Sequence, residues 1–202
     1  TTSIYPCDEK SAAYLEGSGR KAVADEARKI IDCLQADPEI ASSPEKYYDR
    51  VIEINLSELE PYINGPFTPD AAYPISEFNQ IVKEKGYPQK MEAGLIGSCT
   101  NSSYEDLPRA ASIVKKAKDD GLTVKAQFII NPGSEQVRYT AERDGVLGEF
   151  ESAGAVIMAN ACGPCIGQWK RDDDTPNRPN SIVTSFNRNF AKRNDGNPNT
   201  HA

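Results

Sequence analysis

From residue 91 onward, short apolar runs alternate with longer amphipathic stretches, and this alternation constrains the fold more than any other feature of the sequence. The apolar runs are Ala93–Gly97, Val124–Ile130, Ala155–Ala159 and Ser181–Ser185. Tyr104–Asp120 lies between the first two; its spacing predicts a helix closed by Gly121. Ser134 is placed to cap a helix over Glu135–Asp144, with helix resuming to about Ser152. Strands joined through helices of this length run in the same direction, because a parallel pair needs a long crossover. The expectation is an α/β fold: a three-layer, mostly parallel sheet with flanking helices.

Residues 1–60 have a different rhythm and are expected to form a partial α/β segment ahead of the sheet. Val23, Ala27, Ile30, Ile31 and Leu34 recur at helical spacing, and Val51–Leu56 alternates like a strand. Pro61, Pro66, Pro69, Pro74 and Pro88 mark residues 61–90 as a connection, interrupted by a short helix near Ser76–Lys85. Residues 61–202 are then expected to form the second unit. Within it, Arg171–Asn180 reads as a polar surface loop.

No apolar run approaches the roughly 20 residues a membrane-spanning helix needs. A formal net charge of -7 disfavours a general nucleic-acid binder, which needs excess Lys and Arg against phosphate. It leaves room for an anionic ligand where a few arginines gather locally. Five cysteines, an odd number, argue against a disulfide framework and leave metal binding, redox chemistry or plain burial.

The segments that follow the strands carry the chemistry. They are Ser98-Cys99-Thr100-Asn101-Ser102-Ser103, Asn131-Pro132-Gly133-Ser134, Asn160-Ala161-Cys162-Gly163-Pro164-Cys165 and Phe186-Asn187-Arg188-Asn189-Phe190. In an open parallel sheet these loops share the carboxyl edge, where ligands bind. Three thiols, amides, hydroxyls and an arginine would then converge there. Three thiolates suit a soft metal or an iron–sulfur cluster; a cluster held by three protein ligands keeps one iron open to act as a Lewis acid. Other uses stand beside this one. The C-x-x-C of Cys162 and Cys165 also suits a redox pair or incidental burial. A Cys3His zinc site with His201 is chemically allowed. Cys99 alone suits a buried small hydrophobe, as Cys7 and Cys33 do. Asn101, Ser102 and Ser103 suit an N-cap cluster.

Several of these segments resemble the aconitase family, of the mitochondrial type. Gly94–Leu107 is similar to its first cluster-ligand segment, and Ala159–Trp169 to the segment with the other two ligands. Ser185–Phe190, continuing to Asp195, is similar to a substrate-binding segment. Ile52–Leu59, Ile63–Asp70 and Asn131–Gln136 also match. The resemblance implies a [4Fe–4S] cluster on Cys99, Cys162 and Cys165, with Asn187 beside it. It implies that Arg188 and Arg193 hold substrate carboxylates, a task suited to the planar guanidinium. The implied reaction converts citrate to isocitrate through cis-aconitate in the mitochondrial matrix. Residues 1–60 would be the tail of the second aconitase domain and 61–202 most of the third. The residues that move protons would lie in the remaining aconitase domains, so none is assigned here and this piece alone is expected to be inactive. Homoaconitase, isopropylmalate isomerase and a non-catalytic binding or antigenic fragment are the alternatives. RNA binding is not expected.

Overall fold

A computed structural model describes residues 3–160, 162–171 and 177–202. The chain divides into two compact units, Thr1–Leu59 and Glu60–Ala202.

The first unit is helical. Asp8 caps α1 (Glu9–Gly17) by accepting the Ser11 backbone N–H, and the Ser11 hydroxyl accepts the Asp8 N–H in return. α1 packs on α2 (Lys21–Lys29) through Ala12 and Ala24, both fully buried, whose small side chains allow close approach. Arg28 bridges Glu9 and Glu16 across the pair. The single helical face expected from Val23 to Leu34 is broken: α2 stops before Ile30, and Ile31–Leu34 tightens into a 3-10 turn. Two adjacent β-branched residues restrict χ1 against the preceding turn, which disfavours continuation. A short α3 (Pro38–Ser42) follows. The strand expected at Val51–Leu56 does not form. Among the described residues no strand pairs with it, and Ile52 and Leu56 are left exposed. A period-2 pattern without a ladder partner has nothing to satisfy its backbone.

In the second unit the proline-rich connection is more ordered than expected. β1 (Tyr62–Asn64) and β2 (Ala72–Pro74) form an antiparallel ribbon, with Ile63 opposite Tyr73. The prolines fall at strand ends and in the turn, where no ladder donor is lost; Gly65–Pro66 is cis. α4 (Ile75–Glu84) follows directly.

The main sheet is parallel throughout, in the order β5-β4-β3-β6-β7. Its strands are β3 (Ala93–Gly97), β4 (Gln127–Asn131), β5 (Val156–Ile157), β6 (Asn180–Thr184) and β7 (Thr200–His201). α5 (Asp106–Asp119) connects β3 to β4. α6 (Glu135–Arg143) and α7 (Val146–Ser152) connect β4 to β5, broken at Gly145, whose φ of 75° is left-handed. The α/β class and the flanking helices agree with the sequence. The fifth strand, β7, is an addition.

Alternation along the strands sorts the core into two faces. Ile130 joins Leu107, Ala111, Ala141, Leu147 and Phe150 beneath α5, α6 and α7. Ala93, Leu95, Ile129 and Ile182 point the other way, onto Trp169 and Phe186. On that side α4 and the β1–β2 ribbon face β6 across a cleft of about 840 Å³.

Candidate functional site

The strand order places a topological switch beside β3. From β3 the chain moves outward through β4 to β5, then returns to β6 on the opposite side of β3. Loops leaving β3 and β6 therefore diverge, and the gap between them is where open α/β sheets bind ligands.

The two loops are pinned across that gap. The Gly97 N–H donates to the Ser185 hydroxyl at 2.8 Å, and the same hydroxyl donates to the Gly97 carbonyl at 2.8 Å. The Asn101 amide donates to the Ser185 carbonyl and, at 3.1 Å, to Asn187 Oδ1. Ser98 Oγ donates to Asn187 Oδ1 at 3.3 Å and accepts the Thr100 and Asn101 N–H groups. Ser98 is buried at φ 101°, a left-handed conformation rare for a residue with a Cβ; such strain persists where the surroundings over-determine it and clusters at functional sites. Asn187 is thus fixed by the loop that carries Cys99.

The loop after β4 supports the same rim. Ser102 is fully buried and its hydroxyl reaches the Ser98 and Asn131 carbonyls, both at 2.8 Å. A side chain on Gly133 would press on the Ser102 carbonyl at 3.0 Å, so glycine lets the two loops lie against each other. Asn101 and Ser102 are therefore loop ties. Only Ser103 serves the helix: its hydroxyl accepts the Asp106 N–H, while the Asp106 carboxylate takes the Ser103 N–H and hydroxyl. These hydrogen bonds lower the Asp106 pKa.

Each predicted thiol sits on a loop past a strand end. Cys99 follows β3 and is exposed, not the buried hydrophobe a lone cysteine suggests. Cys162 is exposed and Cys165 half-buried on the turn after β5; Ala161 lies outside the described residues. All three are free thiols. Among the described residues no three His, Cys, Asp or Glu side chains are grouped as a metal ion would need. The zinc alternative gains no support: His201 packs at a tilt against Phe67, with Tyr87 nearby, and its Nδ1 faces the Asn199 carbonyl. An iron–sulfur cluster would take thiolate donors of this kind, and Cys99, Cys162 and Cys165 are the residues that would hold it. By the chemistry of the donors, three unbridged thiols on carboxyl-edge loops fit such a group.

The arginines occupy two settings. Arg188 is exposed on the cleft wall with Asn187 and has no polar partner among the described residues. Arg193 is half-buried, and its Nη2 approaches Cys165 Sγ at 3.8 Å. Its buried Nε has no partner among the described residues.

One buried polar neighbourhood escaped the sequence. Arg171–Asn180 does not behave as a surface loop at either end, because Arg171 and Asn180 are both buried; residues 172–176 lie outside the described residues. Arg171 pairs with Asp195 and bonds Asn180. A charged residue beside an Asp-rich stretch gives no sequence signal of burial, since its partners are far along the chain.

Fold and site together define an α/β protein with free thiols, amides and arginines along the carboxyl edge of a parallel sheet. The family model for aconitase (aconitate hydratase) matches residues 1–202, and the chain belongs to that family. It is 55% identical over 202 residues to "Aconitate hydratase, mitochondrial" of Gracilaria gracilis, 54% over 202 residues to the protein of that name in Schizosaccharomyces pombe, and 52% over 203 residues to that in Saccharomyces cerevisiae. Each match covers all of this chain but 25% of the relative, so the chain spans about a quarter of the length of the curated relatives it matches. Among the described residues no helix is long and apolar enough to cross a membrane.

Proposed function

We propose that this chain is part of an iron–sulfur hydro-lyase, an aconitate hydratase of the mitochondrial matrix, which interconverts citrate and isocitrate through cis-aconitate. Residues 1–60 would belong to its second domain and 61–202 to its third. Supporting this are the family membership and the names of the relatives, which favour aconitase over homoaconitase or isopropylmalate isomerase. The observation that carries it is the pinned gap between β3 and β6, in which Asn187, next in sequence to Arg188, bonds to the Cys99 loop.

Cys99, Cys162 and Cys165 would hold a [4Fe–4S] cluster. When bound, such a cluster supplies an open iron that polarises a hydroxyl or carboxylate as a Lewis acid. The chain's own residues bind and orient. Arg188 faces solvent from the cleft wall and can take a carboxylate bidentately. Arg193 presents a second guanidinium, already half desolvated, where a charge-assisted hydrogen bond is strong. Two such cations offset the net negative protein for a tricarboxylate. Asn187, with its carbonyl oxygen taken by Ser98 and Asn101, is left its amide N–H groups to offer a substrate oxygen. Proton transfer falls to parts of the enzyme beyond these residues.

The test is iron and sulfide analysis of the whole enzyme carrying Cys99→Ser, Cys162→Ser or Cys165→Ser, with isocitrate dehydration followed in parallel. Each substitution is expected to abolish iron retention and turnover, while Arg188→Lys retains iron and raises KM at least about tenfold through loss of the bidentate fork. Full iron content in any cysteine variant overturns the assignment. The 202-residue chain alone is expected to show no turnover.

A further inference from the structure

Four residues, at every second position of the segment carrying Cys165, contact the turn Lys192–Gly196. Cys165 Sγ meets Arg193 Nη2. Gly167, at φ 80°, lies against the Lys192 carbonyl so closely that a Cβ there would overlap it, and it also meets Gly196. The Trp169 N–H donates to the Asn194 carbonyl at 3.1 Å. Arg171 Nη1 meets Asp195 Oδ2 at 3.4 Å, with the two side chains only 2% and 4% exposed.

The last contact differs in kind. Its two charges are held by neutral partners from β6 and β7: Arg171 Nη1 donates to Asn180 Oδ1 at 2.6 Å, and the Thr200 hydroxyl donates to Asp195 Oδ2 at 2.7 Å. The Asn197 N–H completes the carboxylate's shell at 3.0 Å, and the Arg171 guanidinium lies 5.6 Å from the Trp169 ring. Apolar pairs often replace buried ion pairs at no loss of stability, so the pair need not be here for stability. A buried ion pair with directional bonds fixes a register instead.

We propose that Arg171 and Asp195 are positioning residues that hold the cysteine turn in register on the Lys192–Gly196 turn, and so set Cys165 against Arg193. Their importance to catalysis rests on the proposed function; the register itself does not. The pair anchors one end of a docked strip, and Cys165 with Arg193 forms the other. Without the anchor, Gly167, the Trp169–Asn194 hydrogen bond and the packing of Trp169 in the core still hold the strip, but no contact between them fixes the turn carrying Asp195.

The experiment is pulse alkylation of the full 202-residue chain with N-ethylmaleimide, read cysteine by cysteine by peptide mass spectrometry. In Asp195→Asn, Cys165 is expected to react at least about fivefold faster, while Cys99, pinned through Ser98 and Asn101 instead, stays within about twofold. Thr200→Val keeps both charges and removes the hydroxyl that bonds both the carboxylate and Asn180; Cys165 is expected to react about two- to threefold faster, again without Cys99. If Asp195→Asn fails to fold by circular dichroism, Thr200→Val decides alone. An unchanged Cys165 rate overturns the proposal. So does equal acceleration of Cys99, which would mean general loosening. These rates do not depend on iron, so an enzyme that kept its iron in Cys165→Ser would refute the cluster assignment and leave the register intact.

Discussion

Single residues set the finest tolerances. Gly167 is the sharpest case, because its left-handed φ disfavours a Cβ and the Lys192 carbonyl leaves no room for one. Gly167→Ala is expected to destabilise the second unit by on the order of 3 kcal/mol, measured by urea unfolding. Glu92 offers a titratable counterpart at the opposite edge of the sheet. Its side chain is 8% exposed and takes both Arg178 nitrogens, at 2.7 and 2.9 Å. That hydrogen bonding lowers its pKa from the ordinary 4.5. A depressed folded-state pKa stabilises the native state at pH values above the unfolded one, and the effect fades as pH falls through the folded value. Glu92→Gln is therefore expected to cost about 1 kcal/mol at neutral pH, discounted because Arg178 is half in solvent. The gap between variant and parent should narrow once the pH drops below about 4.5. A gap that persists undiminished at pH 2 to 3 would contradict the assignment, as would no gap at neutral pH; equilibrium unfolding across pH reads both.

Elements show why some segments were legible and others were not. α5, α6 and β3 lie where periodicity and caps put them, since each has a strong local signal: Ser134 caps α6 by accepting the Val137 N–H at 3.2 Å. Ser134→Ala is expected to lower stability by about 1 kcal/mol. Phe150→Ala, deep beneath α7, is expected to lower it by roughly 3 to 5 kcal/mol, because the packed shell cannot close on the cavity. Chemical denaturation of both variants checks the contrast. Val51–Leu56 had the alternation of a strand but no partner to pair with. The converse holds for β7, two residues of polar character that become a strand because Asn180 and Ser181 lie alongside. β1 and β2 were hidden by prolines that turn out to occupy strand ends.

At the scale of the whole molecule, Glu60–Ala202 contains both core faces and the entire parallel sheet. Expressed by itself, it is expected to retain its circular dichroism and a single cooperative urea transition; loss of either would show that residues 1–59 complete its core. By itself the sequence determined the α/β class, the positions of three thiols after strands and the segments that mark the family, because strand and helix periodicity and contiguous motifs are local properties. The tertiary structure alone decided which loops meet. β6 returns beside β3 instead of extending the sheet past β5, and that crossover brings Asn187 to Ser98 and Asn101. The same long-range closure buries Arg171 against Asp195. Such contacts depend on strand order and desolvation, which residues far apart in sequence create only once the sheet has closed around them.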